Sequence, residues 1–320
     1  MKLVGRFLGR RVAVVMGGLS SERAVSLNTG AAIAAALRAR GHDITEIDAG
    51  RDLPSRLLAL GIEVVFNALH GTYGEDGRIQ GLLDWMGIPY TGEGVGPSHL
   101  AFNKLHAKCL MRNANVSVAP EAVITAGDLP SFDPASLPFP LPAVMKPVAE
   151  GSSVGVTILH SEADWARAVA VATGKGDVLV ERFVTGPELS IAVLGDEVLG
   201  SVEIAPSHDF YDYDAKYKAG SGTHYHLPPR LDPQVLAAAE AQALGAHRAL
   251  GCRAATRTDV IVGPDGPVVL EVNTLPGMTA TSLVPKIAAA RGLPFGELLE
   301  CILDRARFGP PHEHGGSDGA

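Results

Sequence analysis

The stretch Thr258-Asp-Val-Ile-Val-Gly-Pro-Asp-Gly-Pro-Val-Val-Leu-Glu-Val-Asn273 sets two apolar runs around a Gly-Pro-Asp-Gly turn, the pattern of a β-hairpin. Pairing symmetric about Asp265 puts Asp259 opposite Glu271. Glu271 and Asn273 are two apart and so share a face of their strand. Two carboxylates and an amide therefore meet on one patch. Carboxylates so placed repel unless a cation lies between them. A set of hard oxygens without histidine or cysteine favours Mg2+, which keeps phosphates and waters as its other ligands. A solvated hairpin gives no reason for Glu271 to sit between Leu270 and Val272. Arg257, two before Asp259, can face the same patch. A fork-shaped cation there serves either to hold a carboxylate or oxyanion or as a structural partner of Asp259 or Glu271.

Working outward, the segment from Leu189 to Ile204 alternates as antiparallel strands do, and a helix spans 233–250. That helix has Asp232 as its cap, Pro233 at its first position and Gly251 after its end, the asymmetry of a true helix. Upstream lies a small α+β unit. It comprises strand Ala143–Lys146, the glycine- and serine-rich loop Pro147–Gly155, strand Val156–Leu159, a helix capped by Ser161 and strand Val178–Glu181. Lys146 and Lys104 are cations suited to phosphate. Glu181, ending a strand, and Glu188, after Gly186-Pro187, are taken alone ordinary surface carboxylates. A helix over His99–Asn113 and the proline-rich connector Leu129–Pro142 precede this unit.

The first hundred residues read differently. Val12–Met16 is a short apolar run stopped by Gly17-Gly18, as in a buried parallel strand. An alanine-rich helix follows, capped by Ser20 or Ser21 and stopped at Gly41. Strands Ile44–Ile47 and Val64–Leu69 alternate with helices Leu53–Leu60 and Gly77–Met86, which implies a doubly wound parallel sheet. Ligands of such sheets lie at the carboxyl ends of the strands, where Ser21, Glu22 and His70 fall. The divisions expected are 1–97, 98–186 and 187–308, with 309–320 a disordered, Pro/Gly/His-rich tail.

The chain of 320 residues, 46% hydrophobic and 19% charged, has an ordinary globular balance. Its net charge of −8 argues against a duplex nucleic-acid binder. No apolar run is long enough to span a membrane, and the basic start lacks a cleavage signal. Cys109, Cys252 and Cys301 are scattered and odd in number, which fits a reducing cytosol rather than disulfides.

Three motifs carry a family resemblance: Lys146-Pro…Glu150-Gly-Ser-Ser-Val-Gly155, Phe210-Tyr-Asp-Tyr-Asp-Ala-Lys-Tyr217 and Glu271-Val-Asn-Thr-Leu-Pro-Gly-Met-Thr279. With Gly17-Gly18-Leu-Ser-Ser-Glu22-Arg, Ala68-Leu-His70-Gly and Ser282-Leu-Val-Pro285, the sequence resembles the D-alanine–D-alanine ligases of the ATP-grasp superfamily from about Arg11 to Phe308. The resemblance implies a mixed α/β and α+β architecture. It comprises an amino-terminal Rossmann-like domain, a small central domain and a carboxyl-terminal domain, with ATP between the last two under the glycine-rich loop.

Carried over by residue, Lys104 and Lys146 would meet the nucleotide phosphates. Glu181 and the backbone of Phe183 and Val184 would hold adenine, and Glu188 the ribose, with Phe210 also among the cofactor-binding residues. Asp259, Glu271 and Asn273 would bind two Mg2+, for which Mn2+ can substitute. Glu22 would take the ammonium of the first D-alanine in a set with Ser152 and Tyr217, with His70 nearby. Arg257, the Gly277 amide, Ser282 and Leu283 would handle the second D-alanine and the oxyanion, and Lys216 the transferred phosphate. Tyr217 favours a dipeptide over D-alanyl-D-lactate, while ligases using D-lactate or D-serine remain the rival. Two departures stand out: Ala24 replaces a frequent glutamate, and Thr256 a frequent glycine, behind the oxyanion site. The resemblance also implies a cytoplasmic homodimer engaged in peptidoglycan precursor synthesis.

Overall fold

The computed structural model describes residues 5–151, 154–205 and 223–309, which build three sheets. The first contains β1 (Arg11–Met16), β2 (Asp43–Asp48) and β3 (Val64–Asn67) in the order β2-β1-β3. All pairs are parallel, Val12 lying beside both Ile44 and Val64. Helices α1 (Arg23–Ala39) and α2 (Leu53–Ala59) are the crossovers, and α3 (Arg78–Met86) follows β3 and leads to a bridge between Tyr90 and Val65. Burial on both faces of β1 explains its unbroken apolar run: Val12 and Val14 enter one core cluster, Ala13 and Val15 another.

The cap expected at Ser20 or Ser21 does not form. Glu22 occupies the N-cap position of α1 without a side-chain cap bond. The Ser20 hydroxyl instead donates to the His70 carbonyl at 2.7 Å and accepts from the Glu22 N–H at 3.2 Å. It is thus used to join the loops after β1 and β3. Ser26 adds a second stitch, accepting from Gly17 N–H at 2.8 Å and donating to Ala68 O at 2.7 Å.

The helix expected over His99–Asn113 is two helices, α4 (Val95–Phe102) and α5 (Lys104–Asn113). Asn103 between them is extended, and its side chain accepts the His106 N–H at 3.0 Å, restarting the helix as an N-cap. The division expected between residues 97 and 98 falls within α4.

The second sheet holds β4 (Glu121–Ile124), β5 (Ala143–Pro147), β6 (Thr157–Leu159) and β7 (Val178–Arg182) in the antiparallel order β4-β7-β5-β6. Helix α6 (Trp165–Ala172) packs on it, after a turn whose Ser161 and Asp164 form a capping box. The third sheet is antiparallel: β8 (Glu188–Leu194), β9 (Glu197–Ala205), β10 (His224–His226), β11 (Ala255–Gly263) and β12 (Gly266–Asn273), in the order β10-β9-β8-β11-β12. One face carries α7 (Pro233–Ala249), whose start is capped by Asp232 accepting from Gln234 N–H at 2.8 Å. Ala239, Ala243 and Ala246 of α7 join Leu189, Ile191 and Val260 in one cluster there. On the other face, α8 (Leu283–Ala290) and α9 (Phe295–Leu303) share a single core with β1 and α1, in which Ala192 and Leu194 meet Val12, Ile33 and Leu298. The first and third sheets are therefore joined by continuous apolar packing.

Candidate active site

Asp259 pairs with Glu271, and Arg257 with Asn273, across β11 and β12. The reason differs from simple symmetry. The turn closes on Gly263 and Gly266, so Val260 faces Val269, and a bulge between Asp259 and Val260 leaves Leu270 as the extra residue. A β-bulge re-aims side chains without ending the ladder. Here it restores the facing of the two carboxylates.

Asp259 is buried and fully engaged. Arg257 donates to it as a fork, Nε to Oδ1 at 2.9 Å and Nη2 to Oδ2 at 2.8 Å, and Ser190 Oγ donates to Oδ1 at 2.6 Å. The structural partnership of Arg257 with Asp259 is thus present, while Arg257 also lines the cavity described next. Glu271 faces Lys104, with Nζ–Oε2 at 3.5 Å, and Asn273 Oδ1 accepts the Leu275 N–H at 3.0 Å.

Two cavities meet at this patch. One, of about 340 Å3, is walled by Glu22 and His70 from the first sheet's loops and by Arg257, Asn273, Gly277, Ser282 and Leu283. The other, of about 580 Å3, lies between the second and third sheets and is walled by Lys146, Glu181, Phe183, Val184 and Glu188. Lys104, Glu150, Asp259 and Glu271 line both. The expected site residues that are described line one cavity or both, except Ser21, which lines neither; Ser152, Phe210, Lys216 and Tyr217 lie outside the described residues.

Local bonds hold these walls. Lys104, at the start of α5, donates through Nζ to the Glu150 carbonyl at 2.6 Å and through its backbone N–H to Val148 at 2.9 Å. The glycine-rich loop also reaches the first sheet's side of the site: a Cβ at Gly151 would stand 2.9 Å from Glu22 Oε1. His70 is buried, with Nε2 3.2 Å from Thr29 Oγ1 and Nδ1 3.3 Å from Glu75 Oε1. Ser282 Oγ accepts from the Thr279 N–H at 3.1 Å, ordering the turn that follows Gly277.

Glu181 is not the surface carboxylate its sequence position suggests but is 4% exposed. Burial pushes its pKa up, yet Lys146 and Lys108 more than offset that and hold it below the ordinary value. Lys146 Nζ lies 2.6 Å from Glu181 Oε2, and Lys108 bonds Oε1. Lys146 thus sits in the larger cavity with a carboxylate partner of its own.

Sequence reasoning missed Lys108, Glu75, Thr29 and Ser190. Lys108 alone had a signal, being four residues after Lys104 and so on the same face of α5. The other three are brought in by tertiary contacts.

The oxygen set of Asp259, Glu271 and Asn273 suits a hard divalent cation in charge and donor type. It stands where the two cavities join.

Comparison with known proteins agrees with this geometry. The family description D-ala D-ala ligase C-terminus matches residues 110–304, and D-ala D-ala ligase N-terminus matches residues 50–93. A D-alanine–D-alanine ligase of Anaeromyxobacter sp. (strain Fw109-5) is 53% identical over 309 residues, covering 95% of this chain and 99% of that protein. One from Geobacter sulfurreducens is 47% identical, covering 96% and 97%. Among solved structures, the D-alanine–D-alanine ligase of Bacillus anthracis complexed with ATP superposes with a TM-score of 0.81 at 29% identity, covering 92% of this chain and 97% of that one. A D-Ala:D-Ser ligase of Enterococcus faecalis gives 0.78 at 27%, covering 92% and 99%. With near-complete coverage, an ATP-grasp fold and two cavities meeting at a carboxylate patch, the chain belongs to the D-alanine–D-alanine ligase family.

Proposed function

We propose that the protein joins two D-alanine molecules into D-alanyl-D-alanine at the expense of ATP, releasing ADP and phosphate, for peptidoglycan precursor synthesis. The observation that carries this reading is the junction of the two cavities at Lys104, Asp259 and Glu271. A nucleotide in the larger cavity can there present its terminal phosphate to an amino acid in the smaller one.

A carboxylate is a poor electrophile until phosphorylated, and the resulting acyl phosphate is attacked by the amine of a second amino acid with loss of phosphate. The residues divide this work. Glu22 takes the ammonium of the first D-alanine, with His70 beside it in a site set by Thr29 and Glu75. Lys104 and Lys146 offset phosphate charge, the latter leaving Glu181 to do so. Glu181 and the backbone of Phe183 and Val184 receive adenine, and Glu188 the ribose. Arg257 and the Gly277 N–H stabilise the oxyanion, where one donor is worth about 10²–10³ in rate. Ser282 and Leu283 seat the second D-alanine.

Asp259, Glu271 and Asn273 would hold two Mg2+, which when bound offset the charge of the transferring phosphoryl group. Ser152 and Tyr217 on the D-alanine side, Phe210 at the cofactor and Lys216 at the transferred phosphate are assigned on sequence alone. The family resemblance supports a cytoplasmic homodimer, and the three sheets support a three-part division, with the first boundary outside α4 rather than between residues 97 and 98.

Phosphate release measured with ATP and D-alanine alone, D-alanine plus D-lactate, and D-alanine plus D-serine tests the reading. Turnover with D-alanine alone and a dipeptide product by mass spectrometry are expected. No turnover with D-alanine alone would overturn the assignment in favour of another acceptor. The relatives of about half identity carry the D-alanine–D-alanine name, whereas the D-serine-using relative is 27% identical.

A further inference from the structure

Helix α5 places two lysines one turn apart on one face, of which Lys104 lines both cavities and Lys108 neither. Lys104 reaches the junction, touching Glu150 O and Glu271. Lys108 is 1% exposed, and no sequence motif accounts for it. Its ammonium bonds Glu181 Oε1 on β7 and lies 3.3 Å from Glu121 Oε2 on the neighbouring β4. Strands β4 and β7 pair with Glu121 opposite Glu181, so both carboxylates point to the same side, and α5 inserts its lysine between them. Glu121 has a second cation in Arg112. Glu181 has its second in Lys146, whose place in the larger cavity leaves it open to competition from an anionic ligand. A buried ammonium is costly unless paired, and one bridging two carboxylates offsets that cost while restricting both. Of the two lysines on Glu181, only Lys146 lines the cavity.

We propose that Lys108 is a positioning residue of the nucleotide cavity: it fixes Glu181 as an acceptor-only group in the cavity wall, so that the cavity selects a purine presenting an amino group over one presenting a carbonyl. This rests on the reading that Glu181 meets the base. When phosphate draws Lys146 away, Lys108 keeps the Glu181 carboxylate paired and oriented, and its remaining lone pairs accept from the exocyclic amine of adenine. The carbonyl of guanine would face the same carboxylate as acceptor to acceptor, an unpaired and repulsive contact.

The test is steady-state phosphate release with saturating D-alanine and either ATP or GTP. Lys108→Met is expected to raise KM for ATP by about tenfold, the worth of one charge-assisted hydrogen bond. It should narrow the ATP-over-GTP preference similarly, with KM for D-alanine held and kcat moved less than KM. Lys108→Arg should restore most of the preference. Glu181→Gln should weaken ATP use, and Lys108→Met with Glu181→Gln should be no worse than Glu181→Gln alone. Lys108→Met with unchanged KM and preference, or losses that add in the double variant, would overturn the role of Lys108. If Glu181→Gln itself leaves both quantities unchanged, the base-pocket reading fails instead. Should Lys108→Met not fold, the double variant, which removes both buried charges, carries the test against Glu181→Gln. Any further narrowing of the preference in it refutes the proposal.

Discussion

Glu271 presents a side chain 34% exposed at the junction of two cavities, and its contacts include a 3.5 Å ion pair to Lys104. Such a partly exposed pair adds little to stability, so replacing the carboxylate tests chemistry rather than folding. Glu271→Gln is expected to keep the circular dichroism spectrum and melting temperature close to wild type. Turnover should fall by at least about 100-fold, as loss of a metal-site group does. Full activity would refute the metal assignment. Asp259 is a worse site for this test, because removing it takes a bonded partner from both Arg257 and Ser190. That Asp259 and Glu271 lie on the two strands of one hairpin was legible from the sequence, although their facing is reached through a bulge at Leu270 that symmetry about Asp265 does not contain. The partners Lys104 and Ser190 were not, since they arrive from α5 and β8, 167 (271 − 104) and 69 residues away along the chain.

The connection between β7 and β8 decides how the second and third sheets meet around the larger cavity. Gly186 there has φ +154°, a region favouring glycine, and a Cβ would lie 1.9 Å from the Val262 carbonyl. Pro187 O accepts the Val262 N–H at 2.9 Å, so the connection is bonded to β11 beside that contact. Gly186→Ala must push β11 from the connection. It is expected to destabilise by about 1–3 kcal/mol through strain and overpacking, read as a lower urea midpoint. KM for ATP should rise, because Thr185, Gly186 and Glu188 wall the larger cavity, which we propose takes the nucleotide. Unchanged stability and KM would show that the connection moves freely. Element by element, the strongly patterned pieces were readable: β1, α1 and α7 stand within a residue or two of expectation. The α4–α5 break was not, because an asparagine inside an apolar pattern reads as continuing helix until its side chain is seen accepting a backbone N–H.

At the scale of the whole molecule, two buried ionisable groups behind β11 contribute to the pH dependence of stability. Burial lowers the His247 pKa to about 4 and raises that of Glu93 to about 7. His247 Nδ1 pairs with Thr256 Oγ1 at 2.7 Å, giving the unusual Thr256 a packing partner behind Arg257. Glu93 accepts the backbone N–H groups of Arg253 and Ala254 at 2.6 and 2.9 Å, tying the loop before α4 to the start of β11. A histidine depressed on folding contributes stability above its unfolded pKa of about 6.5, lost as pH falls through about 4. A carboxyl raised on folding contributes below about 4.5, lost as pH rises through about 7. His247→Gln is therefore expected to lose less stability than wild type between pH 6.5 and 4, measured by urea midpoints at both ends. Equal losses would show that His247 does not carry the acid-side sensitivity.

The sequence by itself determined the parallel first sheet and the antiparallel hairpin, because periodicity and turn chemistry act over a few residues, whereas the facing of Asp259 with Glu271 is completed by a bulge at Leu270. Motif order carried the family. Only the tertiary structure decided that Glu181 is a buried carboxylate between Lys108 and Lys146, that Arg257 is clasped to Asp259, and that the two cavities meet at one edge. Each of those depends on desolvation and on contacts between distant elements, whose energies are set by what packs around a side chain and not by its neighbours in sequence.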